Sequence, residues 1–327
     1  MISRFAVLLL WSQAWGAPPL AALGAHENAT VSGVSSGAYM AVQFHVAHSA
    51  RIKGAAALAG GPYYCAQGSL KRAYNNCMKP GRFLPLPSIA TLRAQTEALA
   101  RQGRIDPTAN LASSRVWLFT GLNDETVKPQ VVEALYAFYS AYKALSVIVR
   151  HKTAGHAMVT EDAGNKQCAS TRSPFINACD YDAAGALLEH LVGPLAPPPA
   201  KPGGRLQSFD QTPFGAEGIS MDLEGYVYIP KACETTGCRV HVVFHGCRQS
   251  RAAVKEQFAR EAGYNRWGDT NRIVLLYPQA LPRSWPMYNP DGCWDWWGYT
   301  GAHYHTKEGA QIRAVKAMLE RLSEVPK

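Results

Sequence analysis

Gly33-Val34-Ser35-Ser36-Gly37 sets one serine among small residues, with a different backbone pattern on either side. Upstream, Ala29-Thr30-Val31-Ser32 reads as the end of a strand. Downstream, Tyr39-Met40-Ala41-Val42-Gln43-Phe44, continuing to Ser49, reads as an amphipathic helix. A chain that passes from strand to helix within so few residues turns too sharply to leave room for nearby β-carbons, and glycines relieve the crowding. The helix N-terminus behind Ser35 offers a free backbone N–H and a favourable dipole to a developing negative charge. Glycine is common enough for such a box to arise by chance, so its chemistry requires partners elsewhere.

Composition narrows the setting. Of 327 residues, 47% are hydrophobic, 17% charged and 10% aromatic, enough for one large domain or two closely joined ones. The net charge of +9 is scattered, with no basic run carrying interleaved aromatics. That reads as a solvated basic surface and against a nucleic-acid partner. Met1-Ile2-Ser3-Arg4 and the apolar run Phe5 to Trp11 are followed by small residues at Ala14, Gly16 and Ala17, and again from Ala22 to Ala25. This is the pattern of a secretory leader, expected over residues 1–25 with a mature start between Ala17 and Asn28. It is too short to span a bilayer, and no later stretch is long enough. The expectation is an exported, soluble monomer, secreted or periplasmic. Eight cysteines agree with an oxidising compartment. In chain order they fall into neighbours, Cys65 with Cys77, Cys168 with Cys179, Cys233 with Cys238, and Cys247 with Cys293. On the order of a hundred connectivities remain open from spacing alone. No C-x-x-C or C-x-x-H spacing occurs, so no metal site is expected.

Strand and helix patterns alternate along the chain. Ile52 to Gly60, Arg115 to Gly121 and Val147 to Arg150 read as strands, and Ser88 to Arg101, Val131 to Lys143 and Ala183 to Leu191 as helices. A proline-rich connector runs from Gly193 to Gly204. Beyond it, Gly225 to Pro230, Val240 to Cys247 and Ile273 to Pro278 read as strands, with helices over Val254 to Ala262 and Gly309 to Leu322. The alternation implies an α/β fold with a mainly parallel sheet covered by helices on both faces. Residues 26–327 are expected to form a single catalytic domain, divided into 26–192, the connector 193–204, and 205–327.

A serine nucleophile needs a base to take its proton, and the base needs an acid to hold its tautomer. A G-x-S-x-G at a strand-to-helix corner is the nucleophile elbow of α/β-hydrolases, in which acid and then histidine follow the serine on later loops. Asp124 lies just past the strand ending at Gly121, and His156 just past the strand ending at Arg150. Glu125 and Asp162 rival the acid, while His45, His48, His190, His303 and His305 read as packing or surface histidines. An oxyanion hole needs a second N–H, commonly marked by His-Gly after another strand. His245-Gly246-Cys247 fits, but it lies after the serine instead of before it. A circular permutation, with the connector joining the original termini, resolves the order.

Several segments together carry a resemblance. They are Ser32 to Met40, Ala59-Gly60-Gly61-Pro62-Tyr63, Asp124 in its Gly-x-x-Asp-x-Thr-Val setting, and His245-Gly246-Cys247-Arg248-Gln249-Ser250. Gly263-Tyr264-Asn265, Tyr277-Pro278-Gln279-Ala280 and Gly292-Cys293-Trp294-Asp295-Trp296 extend it over nearly all of the mature chain. In this order they resemble the polyhydroxybutyrate depolymerases and related esterases, most closely the circularly permuted fungal type with a single catalytic domain. After Trp297 the pattern is lost around His303-Tyr304-His305. The resemblance implies Ser35 as nucleophile, Asp124 and His156 completing the triad, and the N–H groups of Ser36 and Cys247 as the oxyanion hole. It also implies that the four cysteine pairs are disulfides. A Cys247–Cys293 bridge would tie the oxyanion loop to the aromatic loop, where Trp294 and Trp296 are the candidates for an apolar substrate wall.

The expected function is an exported serine esterase acting on poly(3-hydroxybutyrate) or its oligomers, with no metal or cofactor. No polymer-binding domain behind a Ser/Thr-rich linker is present, which favours amorphous polymer or oligomers. A feruloyl- or acetyl-xylan-type carboxylesterase would use the same machinery. A secreted binding protein without activity is the alternative from another class.

Overall fold

Short runs of small and β-branched residues, buried on both faces, build the centre of an eight-stranded sheet. The computed structural model describes residues 16–162, 164–234 and 237–326. The part of the chain before the connector, here the first segment, supplies β1 (Ala29–Val34), β2 (Ile52–Leu58), β3 (Arg115–Gly121) and β4 (Leu145–His151), and the part after it is the second segment. Three short strands, β5 (Met158–Thr160), β6 (Lys166–Gln167) and β7 (Ile176–Ala178), form a separate small sheet. The second segment supplies β8 (Arg205–Asp210), β9 (Glu224–Ile229), β10 (Arg239–Phe244) and β11 (Ile273–Tyr277).

The large sheet is ordered β4-β3-β2-β1-β10-β11-β9-β8. All pairings are parallel except those of β9, which runs against both β11 and β8. Counting from β8 and wrapping round to β1, the order reads 1-2-4-3-5-6-7-8 with the second strand reversed. That is the α/β-hydrolase sheet, entered by this chain at its fifth strand. The expected permuted α/β fold is therefore found, and β1 of the first segment pairs directly with β10 of the second. The two segments share one sheet.

Side chains alternate across it, as the period of a strand requires. Val116 and Leu118 join one core with the helices Ser36–Ala47, Pro129–Ser140 and Ala310–Ser323. Trp117 and Phe119 join the opposite core with the helices Ala183–Val192 and Tyr264–Thr270. The helix behind Ser35 departs from its amphipathic expectation, because all twelve residues of Ser36–Ala47 are buried. It is enclosed by the sheet, by Tyr139 and Ser114, which hydrogen-bond His45, and by the aromatic loop held through Gln43.

Other elements differ from expectation for local reasons. The helix expected over Val254 to Ala262 is two short ones, Arg251–Val254 and Gln257–Glu261, broken at Lys255 with φ 54°. Strand β8, the small sheet and the helix Tyr264–Thr270 carry too few apolar positions to announce themselves. The connector is pinned to that last helix: the N–H groups of Gly203 and Gly204 donate to Asp269, and Ala196 exchanges two hydrogen bonds with Asn271.

The leader expected over 1–25 overlaps residues that pack against the folded chain. Residues 1–15 lie outside the described residues, but Leu20, Leu23 and Ala25 are buried in the main core. The Asp210 N–H donates to the Pro18 carbonyl at 2.8 Å, and the N–H groups of Leu23 and Ala25 donate to Leu322 at 3.2 and 3.0 Å. The four disulfides join Cys65 to Cys77, Cys168 to Cys179, Cys233 to Cys238, and Cys247 to Cys293. Among the described residues no helix is long and apolar enough to cross a membrane.

Candidate active site

Ser35 sits at the end of β1 with φ 57° and ψ −122°, a positive-φ conformation that an ordinary side chain rarely adopts. Its neighbours show what forces the turn. A β-carbon on Gly33 would meet the Gly37 carbonyl oxygen at 2.2 Å, and one on Gly37 would meet the Phe244 oxygen at 2.3 Å. Only glycine fits at either place, so the box is explained by the crossing of helix, β1 and β10.

The Ser35 hydroxyl donates to His156 Nε2 at 2.9 Å, and His156 Nδ1–H donates to Asp124 Oδ2 at 2.8 Å. The tautomer is assigned from these partners, since a carboxylate on Nδ1 leaves Nε2 as the acceptor. Asp124 is itself held: its Oδ1 accepts the N–H groups of Thr126 at 2.8 Å and Val127 at 2.9 Å. Those two bonds aim Oδ2 at the imidazole. The rivals stand elsewhere, Glu125 paired with Lys128 at the surface and Asp162 exposed and bonded to the Gly164 N–H. Of the other histidines, His45, His48 and His305 are buried and His303 is exposed, none of them lining the cleft.

The loop after β10 faces the serine. Gly246 approaches so closely that a β-carbon there would stand 3.3 Å from Ser35 Cβ. His245 Nδ1–H donates to the Gly246 carbonyl at 2.7 Å, and Nε2 accepts the Ala280 N–H at 3.1 Å. Burial pushes this imidazole down to about 4, which keeps it neutral and able to serve as both donor and acceptor. The Ser36 N–H opens the helix and has no intrahelical acceptor. The Cys247 N–H takes no protein acceptor among the described residues. Cys247 is bonded to Cys293, and the adjacent Arg248 pairs with Asp291.

Ser35, Ser36, His156 and Cys247 all line one cleft of about 430 Å3, with Tyr39, Phe175, Trp296 and Trp297 among its apolar walls. Trp296 stacks face to face on Tyr39, with ring centroids 3.9 Å apart. Trp294 does not belong to this wall, contrary to expectation. It is 0% exposed and packs edge-on against Phe244, 5.0 Å away, behind the loop after β10. The backbone bends at residues 296–298, and Trp296 and Trp297 reach the cleft while Trp294 stays behind it. Asp295 between them organises the loop, accepting the N–H groups of Gly298 and Tyr299 on one oxygen and of Thr300 on the other. Burial pushes its pKa up, and these donors act against that rise. Trp297, Phe175 and the exposed Tyr288 were not singled out in the sequence, although Trp297 adjoins the quoted motif. A larger cleft of about 820 Å3 is lined by charged residues that pair with one another, such as Arg266 with Glu161 and Asp182, and holds none of these groups.

With this geometry in place, similarity to known proteins becomes informative. No protein-family model matches the chain. It is 45% identical over 302 residues to a poly(3-hydroxybutyrate) depolymerase of Delftia acidovorans, covering 90% of this chain but spanning only 59% of that relative's length. It is 35% identical to a polyhydroxybutyrate depolymerase of Talaromyces funiculosus, covering 97% of each. The crystal structure of a PHB depolymerase from Penicillium funiculosum matches with a TM-score of 0.86 at 35% identity, covering 93% of this chain and 98% of that one. A serine-to-alanine variant of a PHB depolymerase complexed with an R3HB trimer matches equally well, at 0.86 and 34% identity. A relationship spanning both chains almost end to end, on the same permuted sheet, leaves one conclusion: the chain belongs to the polyhydroxybutyrate depolymerase family.

Proposed function

We propose that the protein is an exported serine esterase that hydrolyses poly(3-hydroxybutyrate) or its oligomers through an acyl-enzyme. The observation that carries this reading is the hydrogen-bonded chain Ser35–His156–Asp124, opening into a cleft beside two uncommitted backbone N–H groups. His156 Nε2 takes the hydroxyl proton as Ser35 Oγ attacks the ester carbonyl. The buried Asp124 holds the ring and stabilises the imidazolium that forms. The N–H groups of Ser36 and Cys247 receive the oxyanion, and at this stage of reaction such donors are worth most. The proton then passes from His156 to the departing hydroxyl end of the polyester. Water repeats the sequence on the acyl-enzyme and releases the acid.

The relatives' names supply the substrate class, and the apolar walls suit it. Trp296 and Trp297 face an ester chain that lacks charge, and the exposed Leu70, Tyr74 and Tyr288 extend the apolar lining to the rim. Four disulfides and the leader pattern support export. The packing of Leu20 and Leu23 favours a mature start at the Ala17 end of the expected window.

The test is release of soluble 3-hydroxybutyrate from amorphous polymer by the wild type and by Ser35→Ala. Release by the wild type alone is the expected result. Cleavage of a short aryl ester without polymer release would overturn the substrate assignment in favour of a cell-wall carboxylesterase.

A further inference from the structure

Gln249 is 2% exposed, and its amide makes three hydrogen bonds. Oε1 accepts the Gly246 N–H at 2.8 Å, while Nε2 donates to the carbonyls of Pro174 at 3.0 Å and Phe175 at 2.9 Å. These partners belong to different parts of the site. Gly246 precedes Cys247 and lies against Ser35. The Phe175 carbonyl also accepts the N–H of Met158 at 2.8 Å, two residues beyond His156. The same loop, closed by Cys168–Cys179, offers Thr171 Oγ1 to the His156 N–H at 3.3 Å. One amide therefore joins the oxyanion-side loop of the second segment to the base-bearing loop of the first.

Resting on the esterase reading, we propose that Gln249 is a positioning residue that holds the Cys247 N–H in register with the Ser35–His156 pair. Both groups must act on the same carbonyl, and the permuted chain brings them from segments that no local stretch of backbone connects. Only a carboxamide suits the place, since it accepts on one side and donates twice on the other. A carboxylate would accept from Gly246 but oppose two carbonyl oxygens. The amide exchanges no proton and touches no reacting atom, so its removal acts through geometry.

The experiment compares Gln249→Ala and Gln249→Met with the wild type on a short soluble aryl ester, after counting active serines with an organophosphonate. Methionine fills the volume without the hydrogen bonds, so it answers for alanine if the cavity itself is harmful. The expected result is a fall of about 10²-fold in kcat per titrated serine, with KM within about threefold. A kcat per titrated serine within about threefold of wild type in both variants overturns the proposal, because misfolding lowers the count of sites and not the rate per site. A loss carried by KM overturns it too, since that marks a substrate contact. If the wild type neither titrates nor turns over, the esterase reading fails instead.

Discussion

Two hydroxyl–imidazole pairs are built on the same strand, three residues apart. Ser35 donates to His156 Nε2 at 2.9 Å, and Ser32 contacts His241 Nε2 at 2.8 Å. By distance alone they are equivalent. They differ in what surrounds them. Nδ1 of His156 meets a buried carboxylate, whereas Nδ1 of His241 meets the Thr30 hydroxyl at 2.7 Å. Ser35 lines a cleft that Ser36 and Cys247 also line, while Ser32 is wholly buried and also bonded to Tyr264. Burial holds the His241 imidazole down to about 3, so it stays neutral and serves to join β1 to β10. A serine beside a histidine becomes a nucleophile only with a carboxyl group behind the ring, access, and somewhere for the oxyanion to go.

The carboxylate is the sharpest difference, and Asp124→Asn removes it with little change of shape. We expect a loss of about 10⁴-fold in kcat on an aryl ester, with the melting temperature little changed. A loss under tenfold would erase the distinction between the two pairs.

The buried pair answers in stability instead. His45 and His241 are held neutral at about 3, against an ordinary value of 6.5. Between about pH 6.5 and pH 3 the unfolded chain therefore binds more protons than the folded one. Stability is full above that window and falls as the pH drops through it, by on the order of 3 kcal/mol per imidazole between pH 7 and pH 4. Denaturant unfolding followed across that range measures the slope, and a flat profile would mean that neither imidazole is shielded as the structure has it.

The smallest effect belongs to Ser32→Ala, which leaves His241 Nε2 without its partner. A loss of about 1–3 kcal/mol in unfolding free energy is expected, with kcat within about twofold of wild type. A large kinetic loss at unchanged stability would show that the inner pair reaches the chemistry.

Much of this was legible beforehand because it rests on local pattern. The strands Arg115–Gly121 and Ile273–Tyr277 declared themselves as short apolar runs, and the glycines around Ser35 announced a turn. Ser35, Asp124 and His156 could be singled out because each follows a strand. Elements marked by partners instead of pattern escaped. Strand β8, on the far edge of the sheet, has apolar residues only at Leu206 and Phe209, three apart, and so lacks a strand's alternation. Gln249 looks like any loop glutamine until its three partners are known. The helix behind Ser35 looked amphipathic because Gln43 and His45 are polar, yet both are buried and hydrogen-bonded.

The amino-acid order by itself determined the turn at Ser35, the places of Asp124 and His156 just past strands, and the permuted run of segments. All three follow from steric need or from chemistry that only certain side chains supply. The tertiary structure decided which tryptophan meets the cleft and which hydroxyl–imidazole pair is exposed. Those outcomes depend on which face of an element another element covers. Residues two hundred positions apart, such as Thr30 and His241, set that cover only when the sheet closes.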